Sequence, residues 1–447
     1  MDTLPLPASP SLEQYQKRAK DLVKAARSAK PEAVHDWASD WLRSLSKTLG
    51  GTVDDRMRSL LDEAIAAIEK RVRAKVDRAR AANEGFTLAD AQFFIASAHG
   101  FVNWAEFANH IGRPLAGDLR GLEFEAAVDA VVTGDMATLE SLVRQNPELV
   151  RARSAREHRA TLLHYVAANG VEDFRQRTPK NAVNVARFLL ESGAEADALA
   201  STYGNDWWQT TMNLLVSSAH PAIAGLQSAL VDVLVDFGAA VNGLKDDETP
   251  LFTALDFGYV APAETLIRRG ARVDNVIAAA AMGRLDLVGA YVIDKETLKP
   301  GVPLIAPPWR KLPFEAKSHI EFAFVWACKF GRAPIADFFL DLGVNPVAMD
   351  GYAMTALHWA GANGLIGVIK RLIALGAPLE VENTWGGTVL NSTLHFVVND
   401  SVKGVDYAEV IELLLAAGAD VGVVDPTPTG NARVDEVIRR YRKGASS

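Results

Sequence analysis

An all-α solenoid of about eight stacked helical pairs, preceded by a helical domain, is the fold class this sequence predicts. Two observations predict it. Six times an apolar helical stripe runs into a glycine and then a short extended tail: VARFLLESGAEAD, LVDVLVDFGAAVN, AETLIRRGARVD, IADFFLDLGVNP, VIKRLIALGAPLE and VIELLLAAGADVG. The glycines are Gly193, Gly238, Gly270, Gly343, Gly376 and Gly418, separated by 45, 32, 73, 33 and 42 residues. These separations share a base period of about 33 with insertions, the pattern of a repeat array. A glycine ends each helix at little cost because it adopts positive φ. The second observation is a threonine-led helix start. It stands as Thr161-Leu-Leu-His164, Thr249-Pro-Leu-Phe252, Thr355-Ala-Leu-His358 and Thr388-Val-Leu-Asn391, with Thr210-Thr-Met-Asn213 more distant.

Together these motifs resemble the ankyrin repeat over roughly residues 122–425. The resemblance implies that threonine and histidine tie down the turn into each first helix. Phe252, Asn391 and Asn213 replace the histidine, so those turns must be held otherwise. Thr87–Ile111 is similar to the pre-repeat helical hairpin of many bacterial ankyrin-repeat proteins, and its expected role is to cover the end of the array. The family binds through hairpin tips and inner helices on a concave face, so the resemblance implies recognition of a protein or peptide.

The elements follow in order. Residues 1–10 are expected to be disordered, and 11–121 to form a helical cap domain. Within it, Leu12, Tyr15, Ala19, Leu22, Val23 and Ala26 make one helical stripe. Val34, Trp37, Trp41 and Leu45 make a second, and Met57, Leu61, Ile65, Ile68, Val72 and Val76 a third. Gly100 ends the next helix, and Asn103 is an N-cap candidate for the one after. The repeats fill 122–425 with insertions at about 171–180, 204–209, 217–226, 294–319 and 399–406. The fifth repeat, from Val276, is degenerate. The 294–319 insertion carries five prolines, which forbid a continuous helix or central strand. A basic helix, Val434–Lys443, within 426–447 is expected to cap the far end.

Composition narrows the function. Of 447 residues, 49% are apolar and 23% charged, as in ordinary globular proteins, and the net charge of −8 disfavours nucleic acid. The basic stretch Lys70–Arg80 lacks interleaved aromatics and reads as a solvated helix face. The single cysteine, Cys328, sits in the apolar run Phe322–Phe330 and reads as a buried thiol; a disulfide framework and a cysteine metal site are excluded. No signal segment or membrane-length apolar run is present, so a cytoplasmic protein is expected, with no membrane partner. No cofactor or metal is implied.

Counting back three residues from the helix-starting threonines puts His158, Tyr352 and Trp385 at one hairpin-tip register, with Tyr203 placed similarly. Aromatic side chains at a rim suit a binding surface, although the same rings could pack on a neighbouring hairpin. The insertions add Asp206, Trp207, Trp208, Trp309 and Arg310, and Trp359 lies on an inner helix. If the insertions close over the inner face, they form a tryptophan-rich pocket for a small organic ligand or peptide. His164 and His358 read as motif residues. His220 and His395 lie outside the motif and with Asp206 are the weak catalytic candidates; Asp206 or Asp400, both in insertions, would orient a histidine for acid–base work. The leading expectation is a binding scaffold. The alternative is an enzyme or small-molecule binder with a pocket closed by the insertions.

Overall fold

The structure, a computed structural model, describes the chain apart from residues 1–3, 5, 7–9, 29, 49–54, 82–83, 113–118, 169, 173–174, 203–206, 248, 306, 308, 424–427 and 446–447. It is all-α, a series of ankyrin-type helical pairs behind five helices. The chain divides into two compact units: residues 1–244 with 261–269, and residues 245–260 with 270–447.

The first unit begins with α1 (Leu12–Arg27), α2 (Ala33–Thr48), α3 (Asp55–Ala81), α4 (Leu88–Ala98) and α5 (Trp104–Gly112). The three predicted stripes meet in one core. Tyr15, Ala19, Leu22, Trp37, Trp41, Leu61, Ile65, Ile68 and Val72 are buried there; the Met57 side chain lies outside the described residues. Asn103 caps α5 by accepting the Glu106 N–H at 2.9 Å, as its short polar side chain predicts. The expectation of a disordered 1–10 is corrected at its two described leucines. Leu4 and Leu6 are buried in this core, and the Leu4 N–H donates to the Ala98 carbonyl at 2.7 Å. Isolated apolar residues among prolines carry no periodicity, which is why the sequence hid them.

The repeat helices of this unit are α6 (Leu119–Thr133), α7 (Met136–Gln145), α8 (Leu162–Val166), α9 (Ala182–Glu191), α10 (Thr211–Leu215), α11 (Ala219–Ile223) and α12 (Gln227–Asp236). The insertion before α10 forms an antiparallel pair, β1 (Leu199–Ser201) with β2 (Trp208–Thr210), and the next insertion forms α11.

Next in the chain come α13 (Thr249–Asp256) and α14 (Val260–Arg268). In the second unit follow α15 (Val276–Ala281), α16 (Leu285–Tyr291), the hairpin β3 (Val292–Asp294) with β4 (Thr297–Leu298), α17 (Ala316–Lys329) and α18 (Ala333–Asp341). Then come α19 (Ala356–Ala362), α20 (Ile366–Ala374), α21 (Val389–Asn399), α22 (Tyr407–Ala416) and α23 (Ala432–Ala445). The proline-rich insertion stays non-helical to residue 315, and α17 starts three residues before the expected His319, directly after the last proline's reach.

Three devices fix the repeats. All six terminator glycines sit at positive φ, between 72° and 105°. The Thr–His pairs form reciprocal caps: in repeat seven the Thr355 N–H donates to His358 Nδ1 at 3.1 Å and Thr355 Oγ1 lies 2.8 Å from it. His164 does the same for Thr161. Where asparagine replaces histidine, the threonine still caps: Asn213 and Asn391 donate their N–H groups to Thr210 and Thr388, whereas ahead of Phe252 the Thr249 N–H donates to Asp247. Last, the C-terminal carbonyls of inner helices are met by side chains of a following repeat. Lys329 donates to Asp256, Arg332 to Ala281, Asn363 to Cys328 and Tyr407 to Ala362. Within the second unit these orphan carbonyls tie repeats to one another.

Candidate functional site

In the second unit the inner helix of the degenerate repeat, α15, is VIAAAA and wholly buried. Small side chains there let large neighbours meet across it. Phe252, standing where the motif has histidine, stacks on Trp326 of α17 with centroids 4.9 Å apart. Asp256 closes α13, and its carboxylate is 2% exposed.

The proline-rich insertion crosses to this carboxylate. It is held at its base by His319, which donates from Nδ1 to the Glu315 carbonyl at 2.9 Å and accepts the Ile305 N–H on Nε2 at 3.0 Å. Arg310 then grips Asp256 with both prongs, Nη2 to Oδ1 at 2.8 Å and Nε to Oδ2 at 2.9 Å, and Trp309 Nε1 adds a bond at 3.1 Å. The guanidinium carbon lies 4.0 Å from the centroid of the Tyr352 ring. Tyr352 in turn stacks on Trp385, with centroids 5.3 Å apart and planes 24° apart. Gly351 permits this approach, because a Cβ there would stand 2.6 Å from Arg310 Nη1.

Two hairpin tips present the stack. Asp350 Oδ1 accepts the N–H groups of Tyr352 (2.8 Å) and Met354 (3.1 Å), and Oδ2 accepts Trp359 Nε1 (2.9 Å). Burial pushes its pKa up, against these bonds. In the next tip Asn383 Oδ1 accepts the N–H groups of Trp385 (2.9 Å) and Gly387 (3.1 Å). Lys329 completes the inner layer. Its Nζ donates to the Asp256 carbonyl at 2.7 Å and lies 5.0 Å from the Trp326 ring and 5.5 Å from Trp359. Burial pulls this ammonium down to about 8.

Two open clefts flank the stack. One, about 430 Å³, runs between Arg310–Pro313 and the 345–351 tip. The other, about 480 Å³, is lined by Trp359, Trp385 and Phe396 with His395, Asp400 and Asn391. Trp385 is 71% exposed.

The structure thus brings together Trp309, Arg310, Tyr352, Trp359 and Trp385 of the expected binding residues. Trp208 on β2 and Trp207 just before it are exposed, in the first unit. Tyr203 and Asp206 lie outside the described residues. His220 is half-buried on α11 of the first unit. His395 is exposed, with Nδ1 3.2 Å from Asn399 Nδ2, and among the described residues no carboxylate pairs with it. Cys328 is fully buried, and burial raises its thiol pKa. Asp256, Lys329, Asp350 and Phe396 went unnoticed in the sequence; the one available signal was Phe252 at a motif histidine position.

His158 is a correction. It was expected at an exposed rim and is 5% exposed, with Nδ1 accepting the Ala160 N–H and Nε2 3.3 Å from Glu172. The cause is the 171–180 insertion, which turns inward and delivers Glu172 and Arg175. Arg156, fully buried, pairs with Glu125 (3.0 Å) and Glu172 (2.6 Å), and Arg175 pairs with the same two carboxylates (2.7 and 3.0 Å). The Tyr165 hydroxyl donates to Glu172 at 2.9 Å. Burial opposes ionisation of both glutamates, and the two guanidiniums outweigh it, holding them below the usual carboxylate range. His99 Nδ1 donates to the Leu4 carbonyl beside this cluster.

No family model matches the chain, and no curated protein matches it. Among solved structures, the human ASB11 ankyrin repeat domain is similar at 19% identity over 66% of this chain and 98% of its own, with a TM-score of 0.31. The ankyrin repeat domain of Bcl-3, an IkappaB family member, is similar at 18% identity over 65% and 97%, with a TM-score of 0.29. The description of the repeats as ankyrin-type rests on the Thr–His caps and glycine stops of this chain itself. Among the described residues, no helix is long and apolar enough to cross a membrane.

Proposed function

We propose that this protein is a cytoplasmic recognition scaffold whose second unit takes up a segment of a partner protein on its inner helices and hairpin tips. The observation that carries this reading is Trp385. An indole 71% exposed is nonetheless pre-positioned, by stacking on Tyr352 and by the Asn383 turn, at the mouth of a cleft of about 480 Å³. A rigid aromatic anchor loses little entropy on binding and is the usual centre of an interface. Both clefts are open, which supports docking of a chain segment over a closed reaction chamber. The alternative of a small-molecule binder or enzyme is supported only by the insertion folding onto Asp256.

The test is a peptide-display selection against the wild-type protein, followed by affinity measurement on Trp385→Ala. Selected peptides should bind that variant about thirtyfold more weakly, the loss of roughly 2 kcal/mol expected for an aromatic anchor. Far-UV circular dichroism should not change. Equal affinity for the two proteins would remove the reading.

A further inference from the structure

The chain has already solved the problem of holding an arginine on this face. Arg310 lies with a carboxylate in the plane of its guanidinium, bonded at 2.8 and 2.9 Å, and with the Tyr352 ring 4.0 Å from its central carbon. An exposed ring and a carboxylate also line one cleft in the next repeat, and among the described residues no lysine or arginine lines it. Trp385 continues the ring stack beyond Tyr352 and exposes most of its surface. Asp400 lines the same cleft; its carboxylate is exposed and has no partner among the described residues. It also closes α21, an 11-residue helix whose C-terminal carbonyls add negative potential there. Trp359 and Phe396 supply apolar walls for an aliphatic stem, held edge to face with centroids 5.7 Å apart. The nearest cation on these rings, Lys329, is committed to the carbonyls of Asp256 and Leu255.

We propose that the cleft between Trp385 and Asp400 receives an arginine side chain of the partner segment, a claim that rests on the docking reading of this face. A guanidinium can lie flat on an indole while its planar fork donates two parallel bonds to one carboxylate; an ammonium over a ring, as Lys329 shows, donates without that bidentate match. The apolar walls of the cleft suit the methylene stem of arginine, which is buried while the head stays polar.

The test uses full-length protein labelled with 5-fluorotryptophan. The chain has nine tryptophans, and the Trp385 and Trp359 signals are assigned from Trp385→Phe and Trp359→Phe. The probes are N-acetyl-arginine methylamide, its neutral citrulline counterpart and N-acetyl-lysine methylamide. The arginine probe should shift the Trp385 and Trp359 signals and bind about fivefold more tightly than either of the others. Asp400→Asn should erase that preference with an unchanged melting temperature. Equal binding of citrulline or lysine, or shifts confined to other tryptophans, would overturn the proposal. The selected peptides separate the two failures. Peptides that need Trp385 yet contain no arginine and ignore Asp400→Asn leave the docking reading standing and remove this one. Peptides indifferent to Trp385→Ala remove both.

Discussion

In the first unit two arginines meet two glutamates, all four at most 9% exposed, with only Asp129 on Arg175 reaching toward water, whereas in the second unit one arginine meets one aspartate beneath a ring that leads out to solvent. The chemistry is the same and the surroundings differ. Around Arg156 the insertion 171–180 supplies Glu172 and Arg175, and Tyr165 and His158 lie against Glu172. Around Arg310 the insertion lies along the inner helices and leaves the far end of the stack, Trp385, uncovered. A network of charges buried this far gains mainly internal order, because water and ligands reach only its Asp129 edge. An arginine under an exposed ring instead stiffens a surface that something else can use. Burial of the last ring, more than the presence of charges, separates scaffold from site in this molecule.

The comparison breaks first at Arg156. Arg156→Ala leaves Glu125 and Glu172 with a single buried cation between them, and should destabilise the first unit by about 3–5 kcal/mol. Thermal unfolding followed by circular dichroism should show an early transition. A melting temperature within error of wild type would mean that the cluster is hydrated and that its burial does not matter.

The second effect is with acid. Burial pushes His99 down to about 3 and His164 to about 4, from an ordinary value of 6.5. Both are bases with folded values below their unfolded ones, so the unfolded chain binds more protons between those limits. Stability is therefore full above about pH 6.5 and falls as pH drops toward 4, by up to about 1.4 kcal/mol per pH unit for each group. The depressed glutamates add to the loss only below their ordinary value near 4.5. Chemical-denaturation midpoints from pH 8 to 4 check this. A flat profile down to pH 5 would show that neither histidine is held neutral by burial.

Third comes Arg310→Ala. It strips Asp256 of a bidentate partner but leaves the Trp309 indole, so the expected cost is about 2 kcal/mol, smaller than at Arg156. The same change should loosen the 299–315 segment, measured as faster amide exchange there. An equal cost at the two arginines would erase the distinction between closed and open sites.

The sequence exposed what is periodic and concealed what is not. The six glycine stops and the Thr–His caps are local, so they were readable, and the structure has them at positive φ and in reciprocal hydrogen bonds. Tyr352 and Trp385 were readable as a pair because both are counted from a threonine. Their stacking could not be read, since it depends on how far consecutive tips sit apart. Arg310 was visible as a residue of an insertion, but Asp256 was not, because 54 residues separate the partners. His158 misled for the complementary reason. Its register matches the exposed tips, and only the path of the 171–180 insertion buries it.

The smallest expected effect is on the stability of Trp385→Ala, and it sharpens the comparison most. Trp385 gives up a stacking contact with one ring, worth about 0.5–1 kcal/mol, and most of its surface is already in water. The Tyr352 ring keeps Arg310 on it, and the tip turn is held by Asn383 without help from the indole. The melting temperature should therefore fall by no more than a few degrees, far less than for Arg156→Ala. A side chain that costs so little to remove contributes little to folding. Its size and pre-positioning are then accounted for by what it meets outside the chain. If Trp385→Ala were to melt as early as Arg156→Ala, the indole would be a packing residue, and the second unit would be as closed as the first.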